Sequence, residues 1–235
     1  MPFFACLRKR EGHRFRLDTR IYLRDEGPGG DDHCVAAIIG KNPGSAKGKE
    51  FNCLASISLD GDKLLPYVRK RFRNAYQRAG VEIPGGAYVR VWNLFYLCNK
   101  RLSAAVTAHA GVRQPLTCRT ECDRPPIVWF AWGPPKPWFR RMPSRFLGQE
   151  TEYPFSFDMD SKKIVAAMPG PTSRVKHTQG LAGESVEAHL ASILRTRARA
   201  ARSTSRAGSS TPTTTARAPS SATPTSAGPT RRTSN

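Results

Sequence analysis

The sequence lacks any apolar run near the roughly 20 residues that a membrane-spanning helix requires, which predicts that the membrane is not a partner. The apolar stretch at its start, residues 1–7, is too short for a signal peptide. Cysteine is scarce as well: six residues are scattered along the chain, without the density of a disulfide-stapled secreted domain. Together these absences predict a cytoplasmic protein in a reducing compartment.

Acidic residues are also few, and this shortage points to a partner. Asp and Glu total 18 against 38 Lys and Arg, which gives a formal net charge of +20. So basic a chain favours a polyanionic partner, and nucleic acid is the commonest one, with DNA as our expectation. The alternative is a solvated basic surface that binds nothing.

Large apolar side chains are missing altogether from residues 196–235, which contain only Thr, Arg, Ala, Ser, Gly, Pro and Asn. Such a segment buries too little surface to offset its ordering entropy, so we expect a disordered basic tail. The folded unit is then a single α/β domain over residues 13–195, preceded by an N-terminal extension over residues 1–12.

Hydrophobic periodicity predicts five strands. Polar and apolar residues alternate over residues 14–23, as in a half-buried strand. A continuous apolar run, typical of a strand buried on both faces, occupies residues 35–39, and three further strand candidates are residues 87–92, 127–131 and 163–167. No element is predicted for residues 134–158, which carry five prolines.

Helical spacing of apolar residues appears in two places, residues 62–79 and residues 184–194. Asp62 stands where the first helix needs a cap, and Gly80 stands where it ends. Strands interleaved with helices predict an α/β sandwich with a mostly parallel sheet.

Polar or Gly/Pro-rich segments follow the four apolar strands, where an open α/β sheet binds its ligand. Hydroxyls, cations and close-approaching backbone amides make a phosphate site, and the candidates are Lys41, Ser45, Lys47, Thr172, Ser173, Arg174 and Lys176. Amides that position a water or read a base edge are Asn42 and Asn93, and aromatic rings for stacking are Phe95, Trp132 and Trp138. The alternative is a set of ordinary turns and core aromatics.

Three of these segments carry a family resemblance. The run Gly40-Lys41-Asn42-Pro43-Gly44 resembles the first motif, G-x-N-P-G, of the mismatch-specific branch of the uracil-DNA glycosylase superfamily. Residues 166–171 resemble the last motif of that superfamily, H-P-S-P after a strand, and Asn93 falls where it places a base-reading Asn. The chain also resembles an uncharacterised bacterial and phage family with N-P-S-T-A, N-L-F and A-W-G signatures, through residues 42–46, 93–95 and 131–133.

The resemblance implies a three-layer α/β/α sandwich with a mostly parallel central sheet, and an enzyme that acts on a base flipped out of DNA. Asn42 would hold the attacking water, and the base would be bound by Gly40, Lys41, Asn93, Phe95 and Trp132. The DNA backbone would be gripped by Pro43, Gly44, Ser45, Pro169, Gly170, Pro171, Thr172, Ser173, Arg174 and Lys176. Neither a metal nor another cofactor is implied.

The last motif departs from the superfamily at one position. Met168 stands where a His or Asn would support the departing base, and methionine cannot donate a hydrogen bond. His177, nine residues later, either serves as the catalytic group instead or is a loop histidine that contacts phosphate.

Two alternatives accompany this interpretation. Cys118 and Cys122, with Cys98 and His109 upstream, have spacing that a zinc or iron–sulfur site would accept, although helical spacing explains the first two equally well. In function, the leading hypothesis is a DNA glycosylase that hydrolyses the N-glycosidic bond of a damaged or modified base, in repair or in defence against foreign DNA. The alternatives are a catalytically silent nucleic-acid-binding module of the same fold and a hydrolase of free nucleotides.

Overall fold

A computed structural model describes residues 2–44, 47–139, 141–178 and 180–207 of the 235-residue chain. Ser45 and residues 208–235 of the predicted tail lie outside the described residues. The strands are β1 Phe3–Arg10, β2 His13–Tyr22, β3 His33–Gly40, β4 Leu54–Ser56, β5 Ala87–Asn93, β6 Ile127–Phe130, β7 Tyr153–Phe157 and β8 Ile164–Val165. The α-helices are α1 Leu64–Ala79, α2 Leu102–Gly111 and α3 Gly183–Ala207.

The eight strands form one mixed sheet in the order β4-β1-β2-β5-β3-β6-β7-β8. The pairs β5–β3, β3–β6 and β6–β7 are parallel, whereas β4–β1, β1–β2, β2–β5 and β7–β8 are antiparallel. The mixed α/β class is therefore confirmed. The prediction of a mostly parallel sheet is wrong, because antiparallel strands extend both sides of a parallel centre.

The segment predicted as an N-terminal extension is one cause of this difference. It forms β1, which pairs with β2 through a tight turn at Glu11 and Gly12, and both turn residues have positive φ, 48° and 74°. This is the backbone that a two-residue hairpin turn prefers, because its twist matches that of the strands. Alternate residues of β1, Phe3, Ala5 and Leu7, are buried.

Apolar side chains cover both faces of the sheet. On one face, strand residues such as Ile38 and Trp129 share a core with α1 and with the first part of α3. On the opposite face, residues such as Ile39 and Phe130 share a second core with α2 and with the short 3-10 turns at Pro137–Phe139 and Pro143–Phe146. Neighbouring strand residues thus point to opposite cores, as the pleat requires.

The predicted helix at residues 62–79 is confirmed as α1. The carboxylate of Asp62 accepts hydrogen bonds from the backbone amides of Leu64 (2.9 Å) and Leu65 (3.2 Å), which satisfies two donors at the start of the helix. Gly80 ends the helix with a left-handed φ of 66°.

The helix predicted at residues 184–194 exists but is longer, since α3 continues to Ala207. Residues 196–207 therefore differ from the expected disordered tail. Their alanines and arginines are good helix formers, and extending the existing helix α3 does not require the unfavourable nucleation of a first turn. The chain divides into two compact units, Met1–Arg199 and Ala200–Asn235, and the described part of the second is helical.

The buried strand predicted at residues 163–167 is wrong. Only Ile164–Val165 forms a strand, at the edge of the sheet and antiparallel to its neighbour, and Val165 is 39% exposed. The fourth parallel strand is instead β7, within the proline-rich segment where no element was predicted. In the described part of the chain, no helix is both long and apolar enough to cross a membrane.

Candidate functional site

The parallel centre of the sheet has a reversal in strand order. In chain order its four strands are β3, β5, β6 and β7, but β3 lies between β5 and β6. The chain thus leaves β3 toward one side and later returns to the other. The carboxyl ends of β3 and β6 flank the reversal, which is where an open α/β sheet forms its ligand crevice.

A cavity of about 750 Å³ opens beside the carboxyl end of β3, between the segments that follow β3 and β5. We call it the Asn42 cavity, and its walls come from four segments of the chain. Among the sequence-predicted residues it is lined by Lys41, Asn42, Pro43, Gly44 and His177. The structure therefore brings both predicted catalytic residues, Asn42 and His177, to one site.

Asn42 is half-buried and held by the loop that follows β5. Its Nδ2 donates a hydrogen bond to the backbone oxygen of Asn99 at 3.2 Å. Because the amide nitrogen donates this hydrogen bond, the side chain offers its Oδ1 as an acceptor for a ligand or a water. Gly44, two residues later, has a φ of 68°, which favours glycine in this turn.

His177 reaches the cavity through a local strand-like pairing. Lys176 donates its backbone amide to the oxygen of Phe157 (2.7 Å), and Val175 bridges Asp158, so this segment lies at the carboxyl end of β7. Burial, and then the charge of Lys41, lower the pKa of His177 to about 4. The imidazole is therefore neutral near pH 7, with one nitrogen able to donate and the other able to accept.

Lys41 and His177 meet at Gly133. A Cβ placed on Gly133 would lie 3.2 Å from Lys41 Nζ and 3.7 Å from His177 Cβ, and the φ of Gly133 is 83°. The left-handed backbone therefore favours glycine here, and the lysine amine lies close beside it. Burial, followed by the charge of Lys136, lowers the pKa of Lys41.

The other predicted base-binding residues are buried away from the cavity wall. Phe95 is 2% exposed, with its ring 5.0 Å from the ring of His109 and 5.8 Å from that of Trp138. Trp132 is fully buried and contacts Phe130 edge-on. As placed here, neither ring presents a face for a base.

Asn93 is 1% exposed and lies beside Gly40, its register partner on β3. Its Oδ1 would be 3.1 Å from a Cβ on Gly40, so glycine at that position makes room for the amide. Among the described residues, Asn93 Nδ2 has no hydrogen-bond partner. The pairing of Gly40 with Asn93 is therefore a close packing contact.

The loop predicted to grip the DNA backbone forms its own local structure. Gly170 donates its amide to Ser173 Oγ (2.8 Å), Pro169 is buried, and Arg174 pairs with Asp160 at 2.8 Å. Pro171 and Thr172 are exposed at its tip. In the described part of the chain, the wall of the Asn42 cavity includes none of residues 169–174.

Met168 and Lys176, which flank that loop, contact apolar or aromatic side chains. Met168 packs, half-buried, against the core on the α2 face of the sheet. Lys176 places its ammonium 5.5 Å from the centre of the Phe157 ring. Met168 is therefore a packing residue in this structure rather than a member of the cavity.

The cavity also contains charged residues that the sequence analysis missed. Asp60 accepts salt bridges from Lys47 (2.9 Å) and Lys100 (3.4 Å), and hydrogen bonds from Lys47 and then Lys100 lower the pKa of Asp60. Asp60 and Lys100 both line the cavity. The signal available in the sequence was the Asp-Gly-Asp turn before α1, which was interpreted only as a helix cap.

Asp62 adds a buried ion pair to the same wall. Arg16 Nη1 lies 3.4 Å from Asp62 Oδ2, and the two side chains are 1% and 5% exposed. Because Asp62 also caps α1, this pair ties β2 to the helix that forms one side of the cavity. Its role in the fold is to hold the wall in place.

The cysteines suggested for a metal site have local partners. Cys118 accepts a hydrogen bond from the amide of Asp18 (3.2 Å), and Cys122 donates to the oxygen of Arg119 (2.9 Å). Across the described residues, no group of three or more His, Cys, Asp or Glu side chains is placed to hold a metal ion. All six cysteines are free thiols.

Comparisons of this chain with protein-family models, with curated proteins and with solved structures find no match. A functional assignment therefore depends on the residues of the Asn42 cavity and on the motif at residues 40–44.

Proposed function

We propose that the chain is a DNA glycosylase-like hydrolase that cleaves the N-glycosidic bond of a damaged or modified base. The observation that carries the proposal is the shared cavity of Asn42 and His177 beside the carboxyl end of β3. There an acceptor amide can hold the attacking water, and a neutral imidazole can donate a hydrogen bond to the departing base.

The architecture supports the same proposal. Helices lie on both faces of four central parallel strands, with α1 and α3 on one side and α2 on the other. We propose that this centre corresponds to the three-layer sandwich of the uracil-DNA glycosylase superfamily, extended by antiparallel strands. The G-x-N-P-G-like motif then lies at the end of the first parallel strand, as the resemblance implies.

In this mechanism Asn42 positions the water, because a carboxamide accepts a hydrogen bond but does not take a proton at neutral pH. The neutral imidazole of His177 donates a hydrogen bond to the departing base, the function that Met168 cannot perform. As the bond breaks, the sugar acquires positive charge, which the phosphates of the DNA stabilise electrostatically.

The charge of the cavity suits a polyanion. Its lining includes three lysines, Lys41, Lys63 and Lys100, against two carboxylates, Asp60 and Asp62, and the whole chain carries a formal net charge of +20. Lysines bind phosphates as point charges and make the affinity dependent on salt. We therefore propose DNA as the partner.

One observation favours a second candidate, a silent nucleic-acid-binding module. Asn93, Phe95 and Trp132 are each no more than 2% exposed, so the base-reading set implied by the resemblance does not face the cavity. A module that binds the backbone through lysines would not need those residues.

A base-release assay separates the two candidates. DNAs carrying uracil, deaminated purines or modified pyrimidines are incubated with the wild-type chain and with Asn42→Ala, and released bases are measured by mass spectrometry. Asn74→Ala is the matched control, because Asn74 is also half-buried and hydrogen-bonded but lies on α1, where it contacts Glu187.

We expect release by the wild type and by Asn74→Ala, and a loss of about 100-fold or more in Asn42→Ala. Equal release by all three proteins would show that Asn42 does not position the water. Salt-sensitive DNA binding without release from any substrate would establish the silent module instead.

A further inference from the structure

The amine of Lys41 differs from the other lysines around the Asn42 cavity. It is half-buried against Gly133 and, among the described residues, forms no salt bridge. Lys47 and Lys100 are both held by Asp60. Lys63 also lines the cavity without a salt bridge but is exposed, so Lys41 is the half-buried cavity amine that no carboxylate neutralises within the described structure.

We propose that Lys41 is a covalent nucleophile whose amine forms an imine with the C1′ aldehyde of an abasic deoxyribose in the Asn42 cavity. This inference rests on the proposed function, because an abasic sugar is what release of a base leaves behind. Such a sugar is in equilibrium with its ring-opened aldehyde, the class of carbonyl that a lysine amine attacks.

The step balances without an oxidant or a reductant. The lone pair of the neutral amine forms a bond to C1′, the carbonyl π electrons move to oxygen, and that oxygen gains a proton to give a carbinolamine. The nitrogen loses a proton, water leaves from C1′, and a C=N bond forms. Addition of water reverses the sequence and regenerates the amine.

The surroundings of Lys41 favour the neutral amine that this chemistry requires. Desolvation and a neighbouring cation are the two means by which proteins activate lysine as a nucleophile, and Lys41 has both, through its burial and through Lys136. Water takes up the proton that the amine loses, because the low pKa of His177 makes its imidazole a weak base.

Asn42 follows Lys41 directly and lines the same cavity. Because both residues line this cavity, one sugar bound there lies, in this proposal, within reach of both side chains. The two residues act in succession: the water attacks while the base is attached, and the amine attacks after the base has gone.

The test uses an oligonucleotide with a preformed abasic site, incubated with the full chain and sodium borohydride. Borohydride adds hydride to the imine carbon and converts the imine to a stable secondary amine, which appears as a protein–DNA adduct on a denaturing gel. Lys41→Met is compared with the wild type, and Lys70→Met is the matched control because Lys70 is exposed on α1 and lies outside the Asn42 cavity.

We expect the adduct with the wild type and with Lys70→Met, and a loss of more than about tenfold with Lys41→Met. Circular dichroism verifies that each variant is folded. Digestion of the wild-type adduct and mass spectrometry of the peptides provide a second measurement that needs no variant, and the added mass should lie on Lys41.

An adduct of undiminished yield in Lys41→Met, an added mass on another residue, or no adduct with the wild type would each overturn the inference. Because the abasic site is preformed, the result does not depend on base release. Base release without an adduct rejects the imine and leaves the hydrolase standing, whereas an adduct on Lys41 without base release supports the imine and rejects the hydrolase.

Discussion

The neutral state of His177 predicts how the stability of the chain changes with pH. In the unfolded chain this histidine takes up a proton below its ordinary pKa of 6.5, but in the folded chain it does so only near pH 4. Between these values the unfolded state binds more protons than the native state, so stability falls as the pH falls. The stabilising contribution is complete above pH 6.5 and is lost as the pH approaches 4.

The structure sets the size of this effect. The gap between a pKa of 6.5 and one of about 4 corresponds to about 3 kcal/mol in the free energy of unfolding. Because the ring is only partly exposed, most of this difference, about 2–3 kcal/mol, should be measurable. His109 and His189 also have pKa values lowered by burial and act in the same direction, so the measured quantity is the difference between wild type and His177→Gln.

The assay is urea denaturation at a series of pH values from about 7 to about 4, with the midpoint and slope fitted at each. Glutamine does not titrate, so His177→Gln should lose about 2–3 kcal/mol less than the wild type over this range. His33→Gln, at an exposed position outside the cavity, is the matched control. A His177→Gln protein with the same pH dependence as the wild type would refute the burial argument, because His177 would then charge freely in the folded chain.

Two further substitutions test the charges of the cavity. In Asp60→Asn, Lys47 and Lys100 lose their carboxylate, so DNA binding should tighten and the slope of log affinity against log salt should steepen by about one to two. Fluorescence anisotropy at several salt concentrations measures both quantities. An unchanged slope would mean that these lysines do not contact phosphate. In Arg16→Leu, the buried carboxylate of Asp62 is left without its cation, which should cost about 3 kcal/mol of unfolding free energy in urea. A loss below about 1 kcal/mol would show that the carboxylate is solvated.

Periodicity identified the elements whose burial pattern is regular. Five elements, β2, β3, β5, β6 and α1, lie close to where alternation or apolar runs predict them. Helix α2 was not predicted from the sequence because it buries only Ala105 within its bounds and so shows no amphipathic pattern. Strand β7 was not predicted because Pro154 lies within it and other prolines lie nearby, and proline normally argues against a central strand.

Sequence identified the part of the site that comes from one continuous motif. Residues 41–44 line the cavity, because they follow directly from a buried strand. Asp60 and Lys100 could not be found in this way. They come from separate loops, and only the folded sheet brings them together.

The antiparallel strands do not disturb the cavity, because they extend the sheet only at its sides. The strand-order reversal depends on β3, β5 and β6, and their parallel pairing is intact, so the rule that places a ligand at their carboxyl ends still applies. The same rule explains why residues 169–174 lie elsewhere. They follow β8, which runs opposite to β7 and therefore points away from the crevice. His177 reaches the cavity only because the chain turns back after that loop and Val175 pairs with Asp158 beyond the end of β7.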